Sequence, residues 1–247
     1  MGLVETEAIV LRTYTLSEAD KIVVCLTRSS GVVRAVARGA RRLKSKFGAG
    51  LEPFTIIALT FYEKEGRELV SVRDAEIIRS FFSLSSSAET VAALAYMGEL
   101  VLEFAPPHEP NEKVFRMVRA VLEALGQTPG DMSALVRYFE IWTLKLAGFL
   151  PDLRVCAECA KPFEGTAIGY LNAEYILRCA TCSRNAGRAL SQIAHAQIRS
   201  AQRLSPAEFA NAARDLAENQ RYEVTSLTQG LIGRALERQP RGQASFN

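Results

Sequence analysis

Four cysteines in two closely spaced pairs constrain this chain more than any other feature of its sequence. Cys156 and Cys159 form one C-x-x-C motif, nineteen residues follow, and Cys179 and Cys182 form the second motif. Each motif places two sulfur atoms on one tight turn, so two such turns supply the tetrahedral four-thiolate shell that suits zinc. The pattern therefore predicts one structural Zn²⁺ ion held by this cysteine quartet.

A structural role is favoured over a catalytic one because four protein ligands leave no open position for water. The alternatives are a redox dithiol pair, an iron–sulfur centre and four unrelated buried cysteines. The segment that carries the quartet is too short and polar to build a core, so a metal would supply folding free energy that burial cannot. The fifth cysteine, Cys25, lies in the apolar run Ile22–Leu26 and is expected to be a buried strand residue.

The first 80 residues have the pattern of β-strands. Segments rich in β-branched and aromatic residues are separated by turn-forming Ser, Gly and Asp, and they span 8–15, 21–27, 32–38, 54–62 and 69–78. Five short strands without an intervening helix predict a small barrel. The OB-fold is the leading candidate, and an SH3-like barrel is the alternative.

Helical periodicity begins near residue 85, so the fold class is α+β. Start signals occur at Ser86, with Glu89 three residues on, at Asp131, at Ser191 and at Ser205, which is followed by proline and glutamate. The expected domains are a barrel over 1–82, a helical domain in two parts over 83–152 and 186–247, and a zinc-binding insert over 153–185. Residues 240–247 are expected to be a disordered tail.

The segment from Lys21 to Leu51 contains eight basic residues and no acidic one. Strand alternation predicts Arg34 and Arg38 on one face of the third strand, opposite its small apolar residues. The basic loop that follows, Gly39–Gly50, combines glycines with basic side chains and is expected to be flexible. Such a loop can follow a phosphate backbone, and Phe47 could offer a stacking surface.

The candidate DNA-binding residues are the basic side chains of this segment other than Arg28: Lys21, Arg34, Arg38, Arg41, Arg42, Lys44 and Lys46. The competing interpretation is an ordinary solvated run of charge. A barrel that carries the loop favours nucleic acid. The glycines do not form a nucleotide-binding G-x-x-x-x-G-K-[ST] loop.

Several classes of protein are not favoured by the sequence. It contains no H-E-x-x-H or G-x-S-x-G motif, and its two histidines lie far apart, so we expect no enzyme. No stretch approaches the roughly 20 apolar residues of a membrane span, and the start has no signal-peptide pattern. A cytoplasmic protein is therefore expected, and the predicted DNA binding would associate it with the nucleoid.

The sequence resembles the RecO family of bacterial recombination mediators. The matching residues include Ser17–Lys21, the run Val36–Lys46, Gly50–Phe54 and Gly148–Pro151 just ahead of the quartet, in the same order along the chain. The resemblance implies an OB-fold, a helical domain and a zinc-ribbon-like insert. It also implies binding of single- and double-stranded DNA, annealing of complementary strands, and cooperation with RecR in loading RecA onto DNA coated by single-stranded-DNA-binding protein.

An alternative of another class is a zinc-stabilised structural or transcription-associated adaptor that binds proteins rather than DNA. Binding to homopolymer single strands distinguishes this adaptor from a mediator.

Overall fold

The structure is a computed structural model that describes residues 2–63, 69–81, 83–84, 87–127, 132–163 and 168–241. The chain divides after Gly126 into two compact units. The first unit contains the strands of the amino-terminal region and two helices. The second contains the remaining helices and the cysteine quartet. The domain boundaries expected from the sequence remain a prediction.

The amino-terminal region forms a closed barrel, and its five strands lie at the predicted places, except that the first begins six residues before its predicted start. Its strands are β1 (Gly2–Thr15), β2 (Lys21–Thr27), β3 (Gly31–Ala37), β4 (Ile56–Glu63) and β5 (Leu69–Arg79). Their order around the barrel is β1-β2-β3-β5-β4, so β5 lies between β3 and β4 and β4 returns to β1. This Greek-key arrangement confirms the predicted OB-fold.

The inside of the barrel is filled by alternate residues of each strand. On β2, for example, Val23 and Cys25 point inward and are 0% and 1% exposed. Phe47 and Leu51, from the turns between β3 and β4, belong to the same buried cluster. The prediction that Phe47 offers a stacking surface is therefore wrong, because its ring lies in the core and is only 3% exposed. Cys25 is buried as expected, and burial raises the pKa of its thiol to about 12.

A β-bulge changes the direction of the side chains along β1. Ala8 and Val10 belong to the inner cluster, and Val10 lies opposite Cys25. The register then shifts, so that Arg12 lies opposite Val24 rather than an inward-facing residue. Because successive side chains alternate across a sheet, the bulge turns the even-numbered residues beyond it to the outside of the barrel.

Helices α1 (Ala88–Phe104) and α2 (Glu112–Leu125) complete the first unit. The N-cap of α1 is Ser87, whose side chain accepts a hydrogen bond from the Thr90 N–H, so the structure places the cap one residue after the predicted Ser86. Ser86 itself lies outside the described residues. The prolines at 106 and 107 follow the end of α1 as predicted.

Helix α1 and the segment before α2 pack against one end of the barrel. The His108 N–H donates to the Val32 carbonyl on β3. A methyl group at Gly98 of α1 would lie 3.4 Å from the ring of Phe54. Outward-facing Val24 and Leu26 are consequently buried, whereas the other end of the same strands stays accessible.

The helices of the second unit are α3 (Met132–Leu146), α5 (Gln192–Ala201), α6 (Pro206–Ala213) and α7 (Glu218–Leu236). Helix α3 packs against α6 and α7, and α5 packs against α7. The predicted caps Ser191 and Ser205 are confirmed, the latter as a complete capping box with Glu208. The predicted cap Asp131 lies outside the described residues, as does the predicted disordered tail from residue 242.

An ion pair lies inside this helical unit. Glu140 of α3 is 0% exposed, and its carboxylate is 2.6 Å from the guanidinium of Arg137 on the preceding turn. The Thr228 hydroxyl of α7 donates to the same carboxylate at 2.5 Å. The network therefore ties α3 to α7 through buried polar groups.

Short elements surround the cysteine quartet. They are β6 (Gly169–Leu171), β7 (Leu177–Cys179), α4 (Ala180–Ser183) and β8 (Arg188–Leu190). The strands form a small antiparallel sheet in the order β7-β6-β8. No helix in the described part of the chain is long and apolar enough to span a membrane.

Candidate metal centre and nucleic-acid interface

Two short turns bring the sulfur atoms of the quartet together. All four Sγ atoms lie within 4.8 Å of one another, and those of Cys159 and Cys179 are 3.8 Å apart. Tetrahedral zinc with Zn–S bonds of about 2.3 Å separates its sulfur ligands by roughly 3.8 Å. The interpretation as four unrelated buried cysteines is wrong, because the quartet forms one cluster that can hold a metal ion.

Backbone hydrogen bonds fix the first cysteine turn. The Cys156 N–H donates to the Lys161 carbonyl, and the Ala160 N–H donates back to the Cys156 carbonyl at 3.0 Å. Ala160 has a positive φ of 56°, which lets the chain reverse directly after Cys159. The Ala157 N–H donates to the Leu177 carbonyl, so the first turn is tied to β7, where the second pair begins.

The electrostatic environment favours the thiolates of Cys156 and Cys179 but opposes that of Cys182. Burial opposes ionisation of Cys156, but backbone N–H groups, among them that of Cys159, more than offset it and lower its pKa to about 6. The pKa of Cys179 is lowered too, chiefly by the backbone N–H of Cys182. The pKa of Cys182 is raised, first because its thiol hydrogen-bonds to Cys159. A full set of four thiolates this close together requires a bound positive ion, which is the chemistry of a thiolate metal site.

The predicted DNA-binding residues all lie in the first unit, and four of them project freely into solvent. Arg34 and Arg38 are exposed, whereas Val33, Ala35 and Ala37 are buried, so the predicted alternation along β3 is confirmed. Among the described residues, no hydrogen-bond or ion-pair partner is found for the free cations, which are Arg34, Arg38, Arg42 and Lys44.

Two further candidates use their side chains to hold the basic loop in place. The Arg41 guanidinium donates to the Ser17 carbonyl at 2.8 Å, and the Arg41 N–H donates to the Ala19 carbonyl, both in the turn between β1 and β2. The Lys46 ammonium donates to the Arg73 carbonyl on β5. Neither side chain has a carboxylate partner among the described residues, so both retain an unneutralised positive charge.

Lys21 is separated from the other candidates. It lies on the same, inward face of β2 as Val23 and Cys25, and its ammonium pairs with Glu52 at 3.5 Å. Its side chain is only 25% exposed. The structure thus groups Arg34, Arg38 and the basic loop, but places Lys21 on the other side of the sheet.

Sequence reasoning missed Arg12. Direct alternation from Ala8 and Val10 would point this residue into the barrel, and only the bulge turns it outward. It lies in the same cross-strand row as Arg34, because Arg12 is opposite Val24 and Val24 is opposite Arg34. An arginine in a strand otherwise filled by apolar inward residues is the one signal that could have revealed the bulge.

Two basic residues near the quartet are engaged in other contacts. Arg178 lies 3.3 Å from a carboxylate oxygen of Glu158. Arg188 donates to the Ser226 hydroxyl and to the Glu223 carbonyl.

Comparison with known proteins identifies the family. Residues 1–81 match the family model "Recombination protein O N terminal", and residues 85–243 match "Recombination protein O C terminal". A protein of Koribacter versatilis named DNA repair protein RecO is 36% identical over 165 residues, which is 67% of each chain. A protein of the same name from Anaeromyxobacter sp. (strain K) is 34% identical over 190 residues, or 77% of this chain and 74% of the relative.

A third relative of that name, from Bifidobacterium animalis subsp. lactis, is 40% identical over 161 residues, or 64% of this chain and 66% of its own. The family models cover both the barrel with its basic surface and the region that carries the cysteine quartet. The chain therefore belongs to the RecO family of DNA repair and recombination proteins.

Proposed function

We propose that this protein is a recombination mediator that binds single- and double-stranded DNA and anneals complementary strands. In this role it is not an enzyme, and it acts in the cytoplasm on the DNA of the nucleoid. With RecR it helps to load RecA onto DNA coated by single-stranded-DNA-binding protein. The family resemblance supports the partner proteins, and the basic side chains of the barrel support the DNA contacts.

The observation that carries the proposal is the set of free cations on one strand of an OB-fold barrel and on the loop that directly follows it. Arg34 and Arg38 extend from β3, and Arg42 and Lys44 extend from the adjoining basic loop. Phosphate contacts of this kind supply affinity without selecting a base sequence. The Arg41 N–H and guanidinium anchor the first part of the loop to the turn between β1 and β2.

Annealing follows from the same contacts. Two DNA strands repel because both carry negative charge. Arginine and lysine side chains that neutralise phosphates release counterions and lower this repulsion, and they leave the Watson–Crick edges of the bases unused. No nucleotide hydrolysis is needed.

The quartet serves as a structural centre for one Zn²⁺ ion in this proposal. Cys156, Cys159, Cys179 and Cys182 would bind the ion, which supplies local folding free energy and performs no step of annealing. In the described part of this region the regular elements are three-residue strands and one four-residue helix, so the ion would add to the stability of short elements.

The test is strand annealing by a double charge reversal, Arg42→Glu with Lys44→Glu. Arg41 is left intact because its guanidinium holds the turn between β1 and β2. The matched control, Lys113→Glu with Arg116→Glu, changes two exposed cations of α2 in the same unit and alters the net charge equally. Annealing of naked complementary strands is followed by fluorescence, together with binding by anisotropy.

We expect the loop variant to lose binding and annealing together, while the α2 variant stays close to the parent. An equal loss of binding and annealing in both variants would show that the effect depends only on net charge. If the parent protein binds no DNA but still binds other repair proteins, the result would favour the alternative of a zinc-stabilised adaptor that binds proteins. Adding single-stranded-DNA-binding protein and RecR to the parent then tests the proposed mediator step.

A further inference from the structure

An exposed aromatic residue lies on the outer face of the barrel beside the free cations. Tyr14, near the end of β1, is 46% exposed although it lies within a strand. Scattered exposed apolar residues are common and need no explanation by themselves. Tyr14 is not simply a scattered residue of this kind. A shift in strand register turns it outward, apolar residues lie beside it, and an arginine contacts it.

The β1 bulge is what turns Tyr14 outward. Val10 points into the barrel, and without the register shift Tyr14 would point inward as well. Bulges occur preferentially beside functional sites, where they redirect a side chain. Here the bulge interrupts the regular pairing of β1 with β2 at one position and places Arg12 and the ring of Tyr14 on the surface.

The row of residues across from Tyr14 is apolar and partly accessible. Tyr14 lies opposite Ile22 on β2, and Ile22 lies opposite Val36 on β3. Both aliphatic side chains are half-buried, unlike Val24 and Leu26, which are buried at the other end of β2. Since neighbouring strands are about 4.8 Å apart, this row forms an apolar strip roughly 10 Å wide between its outer strands.

Positive charge surrounds the strip. The Arg12 guanidinium donates to the Tyr14 hydroxyl at 3.1 Å, and its central carbon is 6.0 Å from the centre of the tyrosine ring. Arg34 lies on the next row, two strands away. Arg41 reaches the Ser17 carbonyl, three residues beyond Tyr14. Phosphates that follow these cations would bring their bases over the ring.

We infer that Tyr14 is a stacking platform for a base of single-stranded DNA, whose phosphates lie along Arg12, Arg34 and Arg41. This inference rests on the proposed DNA-binding function and adds a specific base contact to it. Stacking uses the flat face of a base and accepts any sequence. The Watson–Crick edge stays available, so a stacked base can still pair during annealing.

The site also predicts a preference between forms of DNA. A base in a duplex is already stacked on both faces and cannot reach the ring, whereas phosphates are present in both forms. Tyr14 should therefore strengthen binding to single strands and contribute little to duplex binding. The free cations should strengthen the binding of single strands and of duplex DNA alike.

The experiment compares Tyr14→Leu with Tyr14→Phe in the full chain, using an oligothymidylate, an abasic oligomer of equal length and a duplex. Because a base stacked on an aromatic side chain contributes roughly 1–3 kcal/mol, Tyr14→Leu should bind oligothymidylate about 5- to 150-fold more weakly. Tyr14→Phe keeps the ring and should bind as the parent does. Binding of the abasic oligomer and the duplex should be nearly the same for all three proteins.

A second measurement uses the unmodified protein, so that it does not depend on how a variant folds. Photo-cross-linking with an oligomer containing 5-iodouracil should join the base to the peptide that contains Tyr14. Cross-links found only elsewhere, or a Tyr14→Leu protein that binds oligothymidylate like the parent, would overturn the inference. If the parent binds the abasic oligomer with normal salt dependence but Tyr14→Leu binds oligothymidylate as the parent does, only the inference of a stacking site is disproved. If the parent binds none of these probes, the proposed function fails with it.

Discussion

The salt dependence of DNA binding can be calculated from the free cations of the barrel. Arg34, Arg38, Arg42 and Lys44 each have an unengaged charged group in the described structure and can contact one phosphate. Each single-strand phosphate contact contributes about 0.7 to the slope of log K against log salt. These four contacts alone give a slope of about −2.8, which corresponds to roughly a 50-fold loss of affinity between 50 and 200 mM salt, and further phosphate contacts at Arg12 and Arg41 would make the slope steeper.

The perturbation is a pair of single neutralisations, Arg42→Gln and Lys44→Gln, measured by fluorescence anisotropy with an oligothymidylate across that salt range. Each should reduce the steepness of the slope by about 0.7. The matched control is Lys21→Gln, which removes a cation of the same segment whose charge already faces Glu52 at 3.5 Å. We expect this control to leave the slope unchanged.

The result that would refute the reasoning is a slope that responds to Lys21→Gln as much as to Arg42→Gln. Binding would then depend on the total charge of the segment and not on which side chains are free. A parent slope near zero would remove the phosphate mechanism altogether. Both results are independent of the stacking experiment, because they concern phosphates and not bases.

Further predictions concern the structural elements. Phe47→Ala should lower the free energy of unfolding by about 3–5 kcal/mol in a denaturant titration, because it empties ring volume from the barrel core. A conservative Phe47→Leu should cost much less, and equal losses would contradict a packed ring. Cys156→Ser should release bound zinc and lower the melting temperature. The control Cys25→Ser should leave the zinc content unchanged. A protein purified without stoichiometric metal would disprove the zinc assignment. Glu140→Gln should destabilise the second unit by about 3–5 kcal/mol, since it leaves Arg137 buried without its counter-charge, and a change below about 1 kcal/mol would argue against an ionised pair.

The sequence predicted the parts of the fold that depend on local pattern. The five strands follow from β-branched runs between turn residues, and the capping box at Ser205 follows from proline and glutamate at fixed offsets. The quartet was predictable for the same reason, since two C-x-x-C turns can be recognised before the fold is known. In each of these cases the determining residues lie within a few positions of one another.

Features set by distant residues were not predictable. The inward position of Phe47 depends on an open space in the barrel core, which exists only after β1 to β5 have closed. The outward position of Tyr14 depends on a bulge whose register is fixed by pairing with β2. The pairing of Lys21 with Glu52 joins two residues that only the folded chain brings together.

The correction of Phe47 and the outward turn of Tyr14 together change the mechanism expected of the basic loop. An aromatic ring on the loop would have moved with it, and a stacked base would then have depended on the position of the loop. Tyr14 instead lies on a strand of a closed barrel, with Ile22 opposite and Arg12 bonded to its hydroxyl, so the stacking surface is preorganised. In the proposed complex, the long side chains of Arg42 and Lys44 would adjust to the phosphates of an incoming strand while one base is held in a fixed orientation. A fixed base with an open Watson–Crick edge gives the complementary strand a defined starting point for pairing, which phosphate contacts alone do not provide.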